Sequence, residues 1–154
     1  AEIRSDYALD NNYWFFVDDM LNFVDAQSTM VFNAIIFPSS LFYLEYDEIE
    51  KLLHLLSLSV KPGTVLFFKL VTNMDYRFEN PNKDVLADYS YKIKFRETDE
   101  YNQTVTFLSR TQWIGLLEKY FKFEYFYAFD LSFEHIQNSM ITKNANLICY
   151  GELK

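Results

Sequence analysis

The chain has 154 residues, the size of one domain, and half of them are hydrophobic, so it can form a packed core. Its formal net charge of −8 at pH 7 would repel a phosphate backbone, so we expect no nucleic-acid partner. No apolar run approaches the roughly 18 residues of a membrane span, and no signal-peptide pattern opens the sequence. We therefore expect a cytoplasmic protein with no membrane partner.

Two scarce residue types narrow the function further. Only three glycines occur, at positions 63, 115 and 151, and they form no phosphate-binding loop, which argues against nucleotide-hydrolysing enzymes and NAD-dependent dehydrogenases. The single cysteine, Cys149, lies in an apolar run, so we expect a buried thiol in a reducing compartment. One cysteine and two distant histidines are too few for a zinc site, and we expect no metal.

Three predicted elements open the chain. Residues 13–17 are a short run of strand-forming residues that Asp18 and Asp19 end. Residues 20–30 are mixed and predict a turn or a short helix. Residues 31–37 are apolar at all but one position and stop at a proline, which predicts a strand buried on both faces, as in a parallel sheet.

The clearest helical pattern follows this strand. Asp47 is the predicted N-cap, leucines repeat at helical spacing, and Lys-Pro-Gly at 61–63 is the predicted end. Residues 64–71 predict a second central strand, in which Lys69 is an unusual charge. A strand, a helix and a strand in this order predict a parallel pair joined by a crossover. Residues 72–89 are polar and predict a loop.

The next part of the chain predicts a hairpin and a helix. Residues 91–96 and 103–108 alternate in polarity, which predicts a β-hairpin inserted at about 89–108. Ser109 is the predicted N-cap of a helix over 110–120.

Two last strands are predicted at 121–129 and 146–152, with a connector over 131–144. Because the connector shows no helical pattern, we expect one of these strands to run antiparallel. The whole order predicts a single α/β domain over residues 1–154.

This order resembles class I S-adenosylmethionine-dependent methyltransferases from their third strand onward. The run FNAII at 32–36 resembles the family's fourth strand, with Asn33 where an aspartate is usual. The run LLHLLSLSVKPG at 52–63 resembles the family's helix that ends in a Leu-Lys-Pro-Gly-Gly turn, with Thr64 at the second glycine. The run SRTQWI at 109–114 is similar to a late helix of the family. The resemblance covers roughly residues 13–153.

The resemblance implies an incomplete Rossmann-like sheet with mostly parallel central strands, a C-terminal antiparallel strand pair and the hairpin insertion. The family's first strand, glycine-rich loop, following helix and acid-tipped second strand have no counterpart, so the chain looks like a C-terminal portion. In the family the third strand does not touch the fourth. Residues 13–17 would therefore repack beside 31–37, leave the sheet, or pair with another chain. We expect a homodimer, a complementing chain or a longer parent protein.

The resemblance also implies S-adenosylmethionine as cofactor, which a chain without the glycine loop would hold poorly alone. By motif position, Asp18 or Asp19 would accept the adenine amino group, and Met20 would pack on the ring. These residues would form one wall of the cofactor pocket. The residues at the carboxyl end of the predicted strand at 31–37 would complete that wall, namely Phe37, Pro38 and Ser39. A turn or helix cap for the two aspartates, and a simple strand stop at the proline, are the alternative roles.

No catalytic residue carries over, because the family has no universal one. Candidate contacts for a small-molecule methyl acceptor are Tyr43, Arg77, which suits an anionic group, and His135; each has an ordinary core or surface role as its alternative. Two functions stay open: a methyltransferase acting as a fragment or split enzyme, and a non-catalytic methyltransferase-like domain that assembles with or stimulates a partner. An unrelated α/β domain with the same pattern is a third possibility.

Overall fold

The computed structural model describes residues 18–26, 30–95, 100–137 and 139–154, so the predicted strand at 13–17 lies outside the described residues. The elements in chain order are α1 (Met20–Ala26), β1 (Phe32–Pro38), a 3₁₀ turn (Leu41–Tyr43), α2 (Tyr46–Leu58), β2 (Val60–Val71), α3 (Tyr76–Glu79), β3 (Lys83–Ala87), β4 (Ser90–Ile93), β5 (Thr104–Thr106), α4 (Arg110–Tyr120), β6 (Phe123–Gln137) and β7 (Met140–Leu153). None of the helices within these ranges combines the length and hydropathy that a bilayer crossing requires.

The main sheet has four strands in the order β1-β2-β7-β6. β1 and β2 run parallel, with Ile35 beside Leu66, which confirms the predicted pair and its connection through α2. β7 runs antiparallel to both β2 and β6, as expected for one of the last two strands. The main sheet thus has three pairs of neighbouring described strands, of which only β1 and β2 are parallel. The expectation of mostly parallel central strands is not confirmed.

Both predicted ends of α2 are wrong. The N-cap is Glu45 rather than Asp47, because Glu48 stands at the third helical position and completes a capping box with Glu45. The helix ends at Leu58, and the Lys-Pro-Gly at 61–63 falls inside β2. There the pairing between β1 and β2 shifts register, and Gly63 takes the positive φ of 84° that the irregularity needs.

The core lies on the face of the main sheet that α2 and α4 cover. Ser109 begins α4 through a capping box with Gln112, which confirms the predicted N-cap. Trp113 is fully buried and its indole Nε1 donates to the Val71 carbonyl at 2.7 Å, which ties α4 to the end of β2. Cys149 is buried as predicted, and burial raises the pKa of its thiol to about 12.

A second sheet, separate from the main one, has three strands in the order β3-β4-β5. β4 and β5 pair antiparallel, as the alternating segments predicted. The predicted loop at 72–89 is wrong, because it contains α3 and β3. The sequence does not predict β3, because this strand is almost wholly exposed and its residues do not alternate between apolar and polar.

The predicted connector at 131–144 is also wrong. It belongs almost entirely to β6 and β7, which stay paired as far as Gln137 and Met140. By register Leu131 pairs with Asn146, which pairs with Val71, so residues 132–137 of β6 and 140–145 of β7 extend the two strands past the end of β2. We call this extension the arm. Most of its side chains are exposed, so it lacks the periodic burial that makes a strand recognisable.

Candidate functional site

The parallel pair fixes where a ligand site would lie. In open α/β sheets, ligands bind beyond the carboxyl ends of the strands. β1 ends at Pro38, and Ser39 follows with a positive φ of 91°, so the chain turns sharply at this point. β2 ends at Val71, and the arm rises beside it. These ends define one rim of the sheet.

An apolar cavity of about 230 Å³ lies between α1, β1 and α2, and we call it the α1 groove. Its lining is wholly hydrophobic: Met20, Phe23, Val24, Phe32, Ala34, Ile35, Phe37, Leu52 and Leu56. Met20 and Phe37, two of the predicted cofactor contacts, therefore face the same cavity. The ring of Phe37 also stacks on Phe68, with centroids 5.6 Å apart and planes 7° apart, so one wall of the groove is fixed by the core.

The two aspartates stand at the start of α1. The carboxylate of Asp19 accepts the backbone N–H of Leu21 at 2.9 Å and of Asn22 at 3.3 Å, which is the capping role named as the alternative. Asp18 accepts the N–H of Asp19 at 2.8 Å. Both side chains are exposed, so their oxygens also remain open to water beside Met20. Capping and an outside contact are compatible here, because a carboxylate has several acceptor positions.

Pro38 and Ser39 do not line the groove. Pro38 is exposed at the end of β1, and Ser39 forms the turn that leads to the 3₁₀ segment. The structure thus brings Met20 and Phe37 together at one cavity. Pro38 and Ser39 lie beyond that cavity, at the rim of the sheet.

Tyr43 and Arg77, two predicted acceptor contacts, meet in a partly buried ion cluster. Arg77 donates from Nε to Asp75 at 2.7 Å and from one terminal nitrogen to both oxygens of Glu100 at 2.6 and 2.7 Å. The Tyr43 hydroxyl donates to the same Glu100 carboxylate. Burial, reinforced by this bond, raises the pKa of Tyr43 well above its ordinary value. The two carboxylates neutralise Arg77, so its side chain is not a free site for an anionic ligand.

Sequence reasoning missed Asp75 and Glu100. Asp75 is fully buried, caps α3 and also accepts the N–H of Ala145 at 3.1 Å, so it links α3 to the arm. A short Asp-x-Arg spacing is the local signal that could have found it. Glu100 lies 23 residues from Arg77, and no local pattern joins the two.

His135 lies on the arm, apart from the ion cluster. Its ring Nδ1 is 2.9 Å from the Asn144 side-chain nitrogen and 3.3 Å from the Thr142 hydroxyl, so it is engaged within the arm. The tip of the arm is held to α3, where the Tyr76 hydroxyl bonds Gln137 at 3.2 Å. In the described ranges, no cluster of three or more His, Cys, Asp or Glu side chains is arranged to hold a metal.

Comparisons with known proteins bear on the fold. No protein-family model matches the sequence, and no curated protein matches it significantly. The structure is similar to a SAM-dependent methyltransferase from Methanosarcina mazei, with a TM-score of 0.50, 14% identity, and coverage of 82% of this chain and 64% of that one. A SAM-dependent methyltransferase from Clostridium acetobutylicum gives a TM-score of 0.41 at 14% identity, over 80% and 59% of the two chains. The chain spans less than two thirds of either structure.

The similarity to the Methanosarcina structure shows a fold of the methyltransferase type, and it shows nothing beyond the fold.

Proposed function

We propose that this chain is a portion of a SAM-dependent methyltransferase that acts on a small molecule. The observation that carries the proposal is the α1 groove, in which Met20 and Phe37 face one apolar cavity. Met20 was assigned to the adenine ring from its motif position, and Phe37 to the pocket from its place at the carboxyl end of a predicted strand. Ligand sites are mostly apolar with a few polar groups that fix orientation, and this groove has exposed carboxylates beside it at Asp18 and Asp19.

The residues present suit the adenosine end of the cofactor. Met20 and Phe37 would contact the flat faces of the ring, and an aspartate would accept its amino hydrogens. When bound, the cofactor supplies the activated methyl group. The chain's own contribution is to hold and orient it, and positioning alone can provide much of the rate of such a transfer.

The acceptor would lie farther along the rim, toward the 3₁₀ turn, α3 and the arm. Tyr43 reaches this region with about a third of its surface exposed, whereas Arg77 holds Tyr43 in place indirectly, through Glu100. A net charge of −8 disfavours a nucleic-acid acceptor, which supports a small molecule.

The proposal requires a further segment for the methionine end of the cofactor, where the backbone must approach closely. Gly63 lies at the beginning of β2, Gly115 within α4 and Gly151 within β7, so none follows the carboxyl end of a strand. We therefore propose that a complementing chain, a second copy or further residues of a longer protein supply this loop.

A non-catalytic assembly domain is the second candidate. It is favoured by the exposed aromatic side chains along β6, of which Tyr127 and Phe129 are about half exposed. Such a surface is typical of an interaction site.

Methionine methyl NMR separates the two functions. The chain has four methionines, and three of them, Met30, Met74 and Met140, are more than a third exposed outside the α1 groove. Titration with S-adenosylhomocysteine should shift the Met20 signal, and the signals of Met74 and Met140 should stay in place as internal controls. A Met20 signal that does not move at millimolar ligand would contradict the cofactor site and leave the assembly function.

A further inference from the structure

The second face of the main sheet has no layer of described helices on it. Strand register aligns its residues in rows across β1, β2, β7 and β6. The middle row is Ile36, Phe67, Tyr150 and Tyr127. One flanking row is Ala34, Val65, Glu152 and Tyr125, and the other is Pro38, Lys69, Ile148 and Phe129. We call these three rows the open face.

The two faces of the sheet differ sharply in exposure. On the helix-covered face Leu66, Phe68 and Cys149 are fully buried. On the open face the edge-strand residues Ile36 and Tyr127 are 65% and 54% exposed. Val65 and Tyr150 on the central strands are 44% and 40% exposed, and Ile148 is buried at 7%. Strands of a parallel pair are normally covered on both faces, and contiguous apolar patches of this kind mark interaction sites. The open face is therefore a candidate interface.

Aromatic side chains on the open face are already ordered against one another. Tyr127 and Tyr150 stack with centroids 5.1 Å apart, and Tyr125 lies 5.8 Å from Tyr127. Tyrosine and phenylalanine are enriched in the buried centres of interfaces, where they contribute large contact areas. Because neighbouring rings hold these side chains, a partner would lose little conformational entropy by ordering them.

The charges of the open face identify the occupant. The molecule carries −8, yet these three rows hold one base, Lys69, and one acid, Glu152, so the face itself is neutral. Lys69 and Glu152 lie in opposite flanking rows. Consider two copies packed face to face about a two-fold axis that runs along the middle row. Each flanking row of one copy then lies opposite the other flanking row of its partner, so Lys69 of one copy would face the row that holds Glu152 of the other. An isologous interface needs this self-complementarity.

We propose that a second copy of this chain docks on the open face, sheet against sheet, about such a two-fold axis. Sheets pack roughly 10 Å apart, a distance that lysine and glutamate side chains from the two copies can span together. The rest of each surface is acidic and repels the other copy, so association is confined to the neutral face. This dimer does not depend on cofactor binding.

Sedimentation equilibrium on the whole chain tests the dimer. We expect a mass twice the 18.5 kDa of one chain, and a single-chain mass for Tyr127→Lys, which places a charge in the middle row of the face. Ile141→Lys is the matched control, because Ile141 is 75% exposed but lies on the arm, and this variant should stay dimeric. A monomer for the parent chain, a dimer for Tyr127→Lys or a monomer for Ile141→Lys would each overturn the proposal.

A charge exchange tests the two-fold arrangement. Lys69→Glu and Glu152→Lys should each raise the dimer dissociation constant about tenfold, since like charges then meet across the interface, and the double variant should return toward the parent value. Lys51→Glu, on the exposed side of α2, changes the net charge as Lys69→Glu does and should have little effect. A double variant no tighter than the single variants would overturn the arrangement. Circular dichroism should show native spectra throughout, because none of these side chains is buried.

Discussion

The Arg77 cluster shows how burial decides what a charged residue can do. The side chain of Arg77 is 6% exposed and that of Asp75 is fully buried, so each depends on the other for compensation. Glu100, 22% exposed, supplies the second carboxylate and connects the pair to Tyr43. Since desolvated ions are costly unless every one is paired, the cluster joins the 3₁₀ turn and α3 through Glu100. Arg77 lies next to the predicted ligand rim, but its charge stabilises the fold and is not available to a ligand.

Removing one member of this cluster should destabilise the fold strongly. Arg77→Met leaves the buried Asp75 carboxylate without its cation, and we expect a loss of about 3–5 kcal/mol in the free energy of unfolding, measured by urea denaturation. Arg110→Met is the control, because the Arg110–Asp130 pair is 3.4 Å long with side chains 46% and 65% exposed, and such pairs contribute about 1 kcal/mol or less. Equal losses in the two variants would contradict the structural role of the cluster.

Elements with a strong local signal were predictable from the sequence. The helix α4 combined a serine cap with an apolar face, and β1 and β2 contained mostly apolar, β-rich runs, so all three were found close to their true positions. The arm and β3 are mostly exposed and carry no periodic pattern, so their formation depends on pairing that only the fold supplies. The same limit applies to the site. Met20 was predicted from its motif position and Phe37 from its place at the end of a strand, whereas Glu100 joins Arg77 by a tertiary contact that no local pattern encodes.

Two glycines, in β7 and α4, should respond in opposite ways to replacement by alanine. In β7 a Cβ on Gly151 would overlap the Tyr125 carbonyl oxygen and lie 2.8 Å from Cδ1 of Phe123. Gly151→Ala should therefore push β6 away from β7 and cost about 1–3 kcal/mol. In α4 a Cβ on Gly115 meets nothing within 4 Å, so Gly115→Ala should stabilise the helix by roughly 0.5–1 kcal/mol. Thermal unfolding of both variants measures this, and a stable Gly151→Ala would show that β6 and β7 are not packed as closely as described.

For the whole molecule, the central feature is the contrast between its two sheet faces. The helices α2 and α4 bury one face under a continuous apolar core, while the other face presents aromatic rows to solvent. In the proposed dimer, the formal charge of −8 would disfavour contacts between copies elsewhere on the surface. The proposed dimer would link the fold of a single copy to its association, because docking would cover the side of the sheet that its own described helices leave open.

This linkage predicts a melting temperature that depends on protein concentration. A dimer that dissociates as it unfolds is stabilised by mass action, so a tenfold dilution should lower the melting temperature by roughly 2 °C for a chain of this length. Tyr127→Lys, which removes the dimer, should unfold at the same temperature at both concentrations. Differential scanning calorimetry of the two proteins provides the comparison, with Ile141→Lys expected to follow the parent chain. A parent melting temperature independent of concentration would mean that the open face is not covered by a second copy, since any folded dimer must respond to dilution.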